Sequence, residues 1–252
     1  RRTHRDSNPL VSWSTMTALN AQDNRTSFNN TMHEIANYNT NAGADGDGGV
    51  AEIVKYNKYN QTMYLVSGKT QSVHIVNLNN VNSNSNTTLE ATKTVTLESI
   101  GINDAGDITS VDVSPDGKEI AIAIQHKDYD KNGYIARFDA NGQLINIHEA
   151  GIQPDMITYS PDGSLILTAN EGEPRQGYEA GTVDPKGSIT ALDTNTNQSY
   201  DIDFTAFDSA ESRAALVADN VIIKKDTAPS VDFEPEYITI SNDSLTAYVT
   251  LQ

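Results

Sequence analysis

The chain contains no cysteine. Disulfides, thiolate metal sites and a cysteine nucleophile are therefore excluded. Basic residues are scarce, with 17 Lys and Arg against 34 Asp and Glu, a formal net charge of −17. Binding a phosphate backbone takes clustered Lys and Arg, so nucleic acid is not the expected partner. An acidic excess suits solubility, a bound cation or a cationic partner. No apolar run approaches the roughly 18 residues that cross a bilayer as a helix, so no transmembrane segment is expected. The five histidines, His4, His33, His74, His126 and His148, show no zinc-ligand spacing. No Gly-Xaa-Ser-Xaa-Gly elbow and no glycine-rich phosphate loop occurs.

What is present is a repeated β pattern. Met156–Tyr159 is a short β-type run, Ser160-Pro161-Asp162-Gly163 a tight turn, and Leu165–Ala169 the returning strand. Pro presets φ at the second turn position and Gly tolerates positive φ at the fourth. An acidic loop, Asn170-Glu171-Gly172-Glu173-Pro174, follows. The same frame recurs around Ser114-Pro115-Asp116-Gly117, 46 residues earlier, and around Ser241-Asn242-Asp243-Ser244. A first unit is expected at Ile53–Tyr56, Thr62–Val66 and Ser72–Leu78, turning at Asn57-Lys58-Tyr59-Asn60. Four short strands repeated at this period point to β-propeller blades, whereas a β-sandwich would show no such repeat.

The expected fold is thus all-β, a partial propeller of three to four blades of four antiparallel strands. Residues 1–49 read as an N-terminal strap and loop, with Trp13, Met16 and Leu19 as an anchor. The loop from Asn37 to Gly49 includes Asp45-Gly46-Asp47-Gly48, a weak calcium-loop echo without EF-hand spacing. Val81–Thr88 reads as a second loop. Residues 50–252 form the propeller, interrupted at 205–230 by an insertion with a short helix near Asp208–Val217, packing through Ala214, Leu216 and Val217. The last strand, ending at Gln252, has no partner after it. The chain is accordingly expected to be the N-terminal part of a longer protein, pairing with itself or with the remaining half.

Aligning the units on their turns produces the site. Five residues before Ser160 stands Asp155, five before Ser241 stands Glu236, and five before Asn57 stands Glu52. Five before Ser114 is Thr109, beside Ser110. Three of four units thus carry a carboxylate at the entry to their first strand, the innermost strand of a blade. Converging like charges repel unless a cation neutralises them or their pKa values rise. A hard cation with oxygen ligands, Ca²⁺ above all, resolves the conflict. Glu171, Glu173, Asp232, Glu234 and Asp184 are further oxygen donors nearby. The competing reading is a rim of solvated acids.

These residues carry a resemblance. Ala51-Glu52-Ile53-Val54, Gln153-Pro154-Asp155-Met156, Thr168–Pro174, Val183–Ser188 and Asp232–Tyr237, with Ala247–Gln252, resemble the choice-of-anchor I family over roughly residues 50–252. Its members include alkaline-phosphatase-like and phytase-like propellers and the mesenchyme-specific cell-surface glycoproteins. The resemblance implies a secreted or cell-surface, calcium-binding protein, acting as a binding or structural module toward a surface polymer or other ligand. The alternative it implies is a metal-dependent phosphoesterase. Arg175 and Lys186, with Asp184, would then contact the phosphoester. A scaffold without a ligand is the third reading.

Overall fold

The computed structural model describes residues 34–42, 50–51, 53–82, 84, 86–179 and 181–252. Trp13, Met16, Leu19, the Asp45–Gly48 loop and Glu52 lie outside the described residues. The chain divides into two compact units, Arg1–Ile35 and Ala36–Gln252; every element below belongs to the second.

Three four-stranded antiparallel sheets and a two-stranded antiparallel one follow one another along this unit, beside a separate two-stranded parallel pair. The first is β2 (Val54–Asn57), β3 (Thr62–Ser67), β4 (Ser72–Asn77) and β6 (Lys93–Thr96). The second is β7 (Ala105–Val113), β8 (Glu119–His126), β9 (Asn132–Asp139) and β10 (Leu144–Ile152). The third is β11 (Pro154–Tyr159), β12 (Leu165–Asn170), β13 (Ser188–Asp193) and β14 (Ser199–Asp203). The last pairs β15 (Pro235–Ile240) with β16 (Ala247–Leu251). These are propeller blades, each a meander laid down in chain order.

The blades stack because both faces of the second and third sheets are apolar, and strand alternation assigns their buried side chains to one seam or the other. Ile120, Ile122 and Ile124 face the first blade and join Tyr64, Val66, Val73 and Val95. Their neighbours Ala121 and Ala123 face the third blade and meet Ile157, Tyr159, Ile166 and Leu192. Met156, Leu167 and Ala169 face onward, to Ile238 of the fourth. Each fully buried large aliphatic contributes about 1.5–3 kcal/mol, so the seams carry the stability of the unit.

Two expectations are corrected. Ala36–Tyr38, read as the start of a loop, is a strand, β1, and it pairs in parallel with β5 (Thr87–Leu89), which begins within the other expected loop. The pairing spans some fifty residues of chain, so local composition gives no sign of it; Tyr38 Oη is within 2.6 Å of His74 Nδ1 on β4. The insertion does contain a helix, α1 (Ala210–Ala218), capped by Ser209 Oγ accepting from Ser212 N at 3.0 Å. Its expected packing face is not buried: Ala214 and Val217 are exposed and Leu216 is half-buried. The insertion is held by its ends instead. Asp208 accepts from Ser230 N and Oγ (2.9 and 2.7 Å), and Phe233 meets Phe204 and Phe207 edge-on. The short helix α2 (Pro229–Asp232) then leads into β15.

The turns between first and second strands share one design. Ser114, Ser160 and Ser241 each donate from Oγ to the Asp two residues on (2.8, 2.6 and 2.6 Å) and accept from a backbone N–H five residues on. The fourth position has positive φ: Gly117 at 72°, Gly163 at 75° and Ser244 at 61°. A Cβ on Gly163 would find only Pro115 at 3.6 Å, whereas on Gly117 it would lie 2.3 Å from Tyr59 Cδ2. Gly163→Ala should therefore lower unfolding free energy by about 1 kcal/mol, the backbone cost alone. Gly117→Ala, which adds the clash, should cost about 2–3 kcal/mol. Urea titration of both variants checks the ordering, and equal losses would contradict it.

Candidate metal centre

Among the described residues, the first strands β2, β7, β11 and β15, with Ile53 just before β2, line one cleft of about 250 Å³. Ile53, Lys55, Thr109, Ser110, Asp155 and Glu236 are among its walls. The ladders show how the acids reach it. Asn57, Ser114, Ser160 and Ser241 face Thr62, Glu119, Leu165 and Thr246 across their turns, so the four units share one register.

Counting back five residues, three of the first strands carry a β-bulge at the same place. Met156 pairs with Ala169 and Pro154 with Asn170, leaving Asp155 as the extra residue. Tyr237 pairs with Thr250 and Pro235 with Leu251, leaving Glu236. Ser110 pairs with Ala123 and Ile108 with Ile124, leaving Thr109. A bulge re-aims one side chain out of the alternation of its strand. Proline stands before both acids and has no N–H to give the ladder there. Each proline also seats on a glycine of the preceding blade. A Cβ on Gly133 would lie 2.7 Å from Pro154 Cδ, and one on Gly187 2.6 Å from Pro235 Cδ. Only glycine allows that approach.

Glu171 comes from the loop after β12 and completes a triad. One carboxylate oxygen from each of Asp155, Glu171 and Glu236 lies within 4.8 Å of the others. Glu171 is only 8% exposed. Burial, then Asp155, Glu173 and Glu236, push its pKa up to about 8, with Arg175 opposing. Glu234 is pushed up to about 7, first by burial and then by Glu173, Asp184, Asp232 and Glu236. Burial likewise raises Asp184, with Asp232 adding to it and Lys224 opposing. Glu173, Glu234, Asp184 and Asp232 are thus electrostatically coupled to the triad or to one another as an outer acidic group. Asp232 Oδ2 is in addition an acceptor for Lys224 N at 2.7 Å.

The two candidate cations are placed differently. Arg175 lies 3.8 Å from Glu171 and 3.6 Å from Glu173, and its Nε donates to Gln153 Oε1 at 3.0 Å. Lys186 acts on Asp203, at the end of β14, whose pKa it helps to lower. Two residues that sequence reasoning did not single out have clear roles. Gln153, buried with φ at 55°, clamps the acidic loop: its Nε2 donates to Tyr129 O and Glu173 O, and its Oε1 accepts from Glu173 N. Lys55 lines the cleft but is paired with Asp112 at 3.3 Å. An isolated Gln before Pro-Asp gives no hint of a clamp, since its partners lie about twenty residues away on either side.

The sequence model of the choice-of-anchor I domain matches residues 52–252. The chain belongs to the choice-of-anchor I family. Among curated proteins, none matches the chain. Two solved structures resemble it in part. Hydrazine synthase from Kuenenia stuttgartiensis superposes with a TM-score of 0.50 at 12% identity, over 78% of this chain and 48% of that one. A protein from Lactobacillus plantarum gives 0.49 at 17% identity, over 80% of this chain and 50% of that one. The chain thus spans about half the length of the structures it matches. Asp155, Glu171 and Glu236 all fall within the matched choice-of-anchor I span, which opens at Glu52. Among the described residues, no helix is long and apolar enough to cross a membrane.

The raised pKa of Glu171 fixes a pH dependence for the metal-free protein. Folded, the group ionises near 8; unfolded, near its ordinary 4.5. Between these values the unfolded chain has lost a proton that the folded chain keeps, so stability falls as pH rises and levels off above 8. Glu171→Gln removes this penalty. In chelator the variant should exceed wild type by about 2–4 kcal/mol at pH 9, and the gap should shrink toward zero at pH 5. Denaturant melts at the two pH values check this; a gap independent of pH would contradict it.

Proposed function

We propose that this choice-of-anchor I domain is a secreted or cell-surface propeller module that binds Ca²⁺ at the mouth formed by its first strands. The 4.8 Å limit on the separation of the Asp155, Glu171 and Glu236 oxygens carries the reading. Ligand oxygens at 2.3–2.6 Å from one Ca²⁺ are at most about 5 Å apart, so three such oxygens suit a single ion. The donor set is entirely oxygen, as a hard cation prefers. The charge conflict that raises Glu171 to about 8 is the conflict a divalent ion would relieve.

Asp155 and Glu171 belong to the third blade and Glu236 to the fourth. A bound ion would thus tie two blades together across their inner edge. Its remaining positions would be left to water or to an anionic group of a surface polymer. Family membership supports the surface setting. Binding is favoured over phosphoester hydrolysis by Arg175. Its Nε donates to Gln153 Oε1 and its charge is already shared by Glu171 at 3.8 Å and Glu173 at 3.6 Å, which leaves less of it to steady a phosphoryl group.

The test is a Ca²⁺ titration followed by thermal melting, with wild type beside Asp155→Asn/Glu236→Gln. At a hundred times its dissociation constant, Ca²⁺ should stabilise wild type by about 2.7 kcal/mol, or about 5–10 °C in melting temperature. The double variant should not respond. Equal responses in both proteins, or none in wild type, would overturn the reading. Turnover of p-nitrophenyl phosphate that Glu236→Gln abolishes would replace it with the hydrolase.

A further inference from the structure

At the turn end of the blades, away from the acids, the two neighbouring seams differ. Between the first and second blades the inner part of this end is covered, a cavity of about 390 Å³ lying further out between residues 93–95 and 142–144. Tyr59 lies over Gly117 and its hydroxyl donates to Pro115 O at 3.1 Å, while Asn57 Nδ2 donates to Gly117 O at 2.8 Å. Tyr59 is the third residue of its turn; the third residue of the next turn is Asp116. Asp116 is drawn back onto its own turn by Ser114 Oγ and Lys118 N. The seam between the second and third blades therefore stays open as a cavity of about 270 Å³.

Its floor is polar and buried. Arg137, 5% exposed, donates through Nε and Nη2 to Glu119 Oε2 (3.2 and 2.7 Å), and through Nη1 to Asn197 Oδ1 (2.8 Å). Beside it the hydroxyl of Tyr159, a residue 7% exposed, is buried next to the Arg137 guanidinium without a well-aligned hydrogen bond. Leaving such a group unpaired is unfavourable, and a ligand hydroxyl that reached it would relieve that cost. The ligand class follows from the walls. Arg137 and Glu119 cancel; Asp116 is held near pKa 2 first by the Lys118 ammonium 3.0 Å away, which balances it, and Asp162 is held near 2 by the Ser160 and Ser164 hydrogen bonds and leaves the rim one net negative charge. A net negative rim repels anions. It accepts hydrogen bonds readily, while Tyr159 and the Asn195 amide can donate. Pro115 and Gly163 add an apolar side wall. Alternating donors and acceptors with one apolar wall suit a ring that carries several hydroxyls.

We infer that this seam binds a neutral sugar unit, with the Tyr159 hydroxyl as the buried contact and Asp116, Asp162 and Asn195 around the ring. The site is separate from the acid triad and independent of any metal there. Glucose, galactose, mannose and N-acetylglucosamine serve as probes in saturation-transfer NMR on the whole protein, in chelator. At least one should receive saturation, with a dissociation constant in the millimolar range or below. Tyr159→Phe should weaken that sugar about tenfold while leaving the melting temperature unchanged or raised. Asn195→Ala, at the exposed rim, should weaken it as well and carries the test should Tyr159→Phe fail to fold. No transfer from any of the four sugars, or an unchanged affinity in the variant tested, would overturn the proposal and leave the cavity to water.

Discussion

The structure rests on a packing constraint: its central sheets, the second and third, are apolar on both faces, and neither can bury itself alone. Ile120, Ile122 and Ile124 need the first blade, while Ala121 and Ala123, on the same strand, need the third. Stacking is therefore obligatory, and the large-against-small choice on β8 sets how closely each neighbour approaches. Once blades stack in chain order, their first strands have nowhere to go but side by side. The cleft between those strands follows from the alternation of apolar residues before any functional residue is considered.

Convergence has an electrostatic cost. The bulges at Asp155 and Glu236 turn carboxylates into a space already shared with Glu171, and the proline-on-glycine contacts at Gly133 and Gly187 stop the strands from backing away. A pKa pushed to about 8 means that folding holds this group against its preference at neutral pH. Packing stabilises the fold enough to carry that cost. Sites that oppose local stability are where function is sought. Arg175 offsets part of the repulsion from the rim, and Gln153 sets its position through one hydrogen bond while fixing the loop that bears Glu171.

Much of this was legible in the residues. The Ser-Pro-Asp-Gly turns, 46 residues apart, located the blades, and counting back five residues from each turn located Asp155 and Glu236. That count works because the turn chemistry fixes where pairing begins, and one shared bulge position preserves the spacing. The bulge itself left only the Pro-Asp and Pro-Glu dipeptides as a trace. Contacts across distance left none. Gln153 reaches partners on two loops, β1 finds β5 some fifty residues on, and β6 follows an Asn- and Ser-rich stretch that gives little sign of a strand. The helix α1 misled in another way. Its apolar residues fit a packing stripe, yet its N-cap and the Asp208–Ser230 contact hold the insertion without burying that stripe.

The turns show how a repeat diverges without losing its frame. All four keep the five-residue spacing that sets register, so substitutions within them are free of that duty. Tyr59 uses the freedom to close a seam, covering Gly117 so tightly that no Cβ fits beneath it. Asp116 folds back on its own turn and leaves the next seam open over Arg137 and Tyr159. Ser244 accepts from Asp162 N at 3.1 Å and ties the third turn to the fourth, holding positive φ without being glycine. One local grammar thus yields a closed seam, an open seam and a tied seam, and the chemistry available at each depends on a single side chain rather than on the fold.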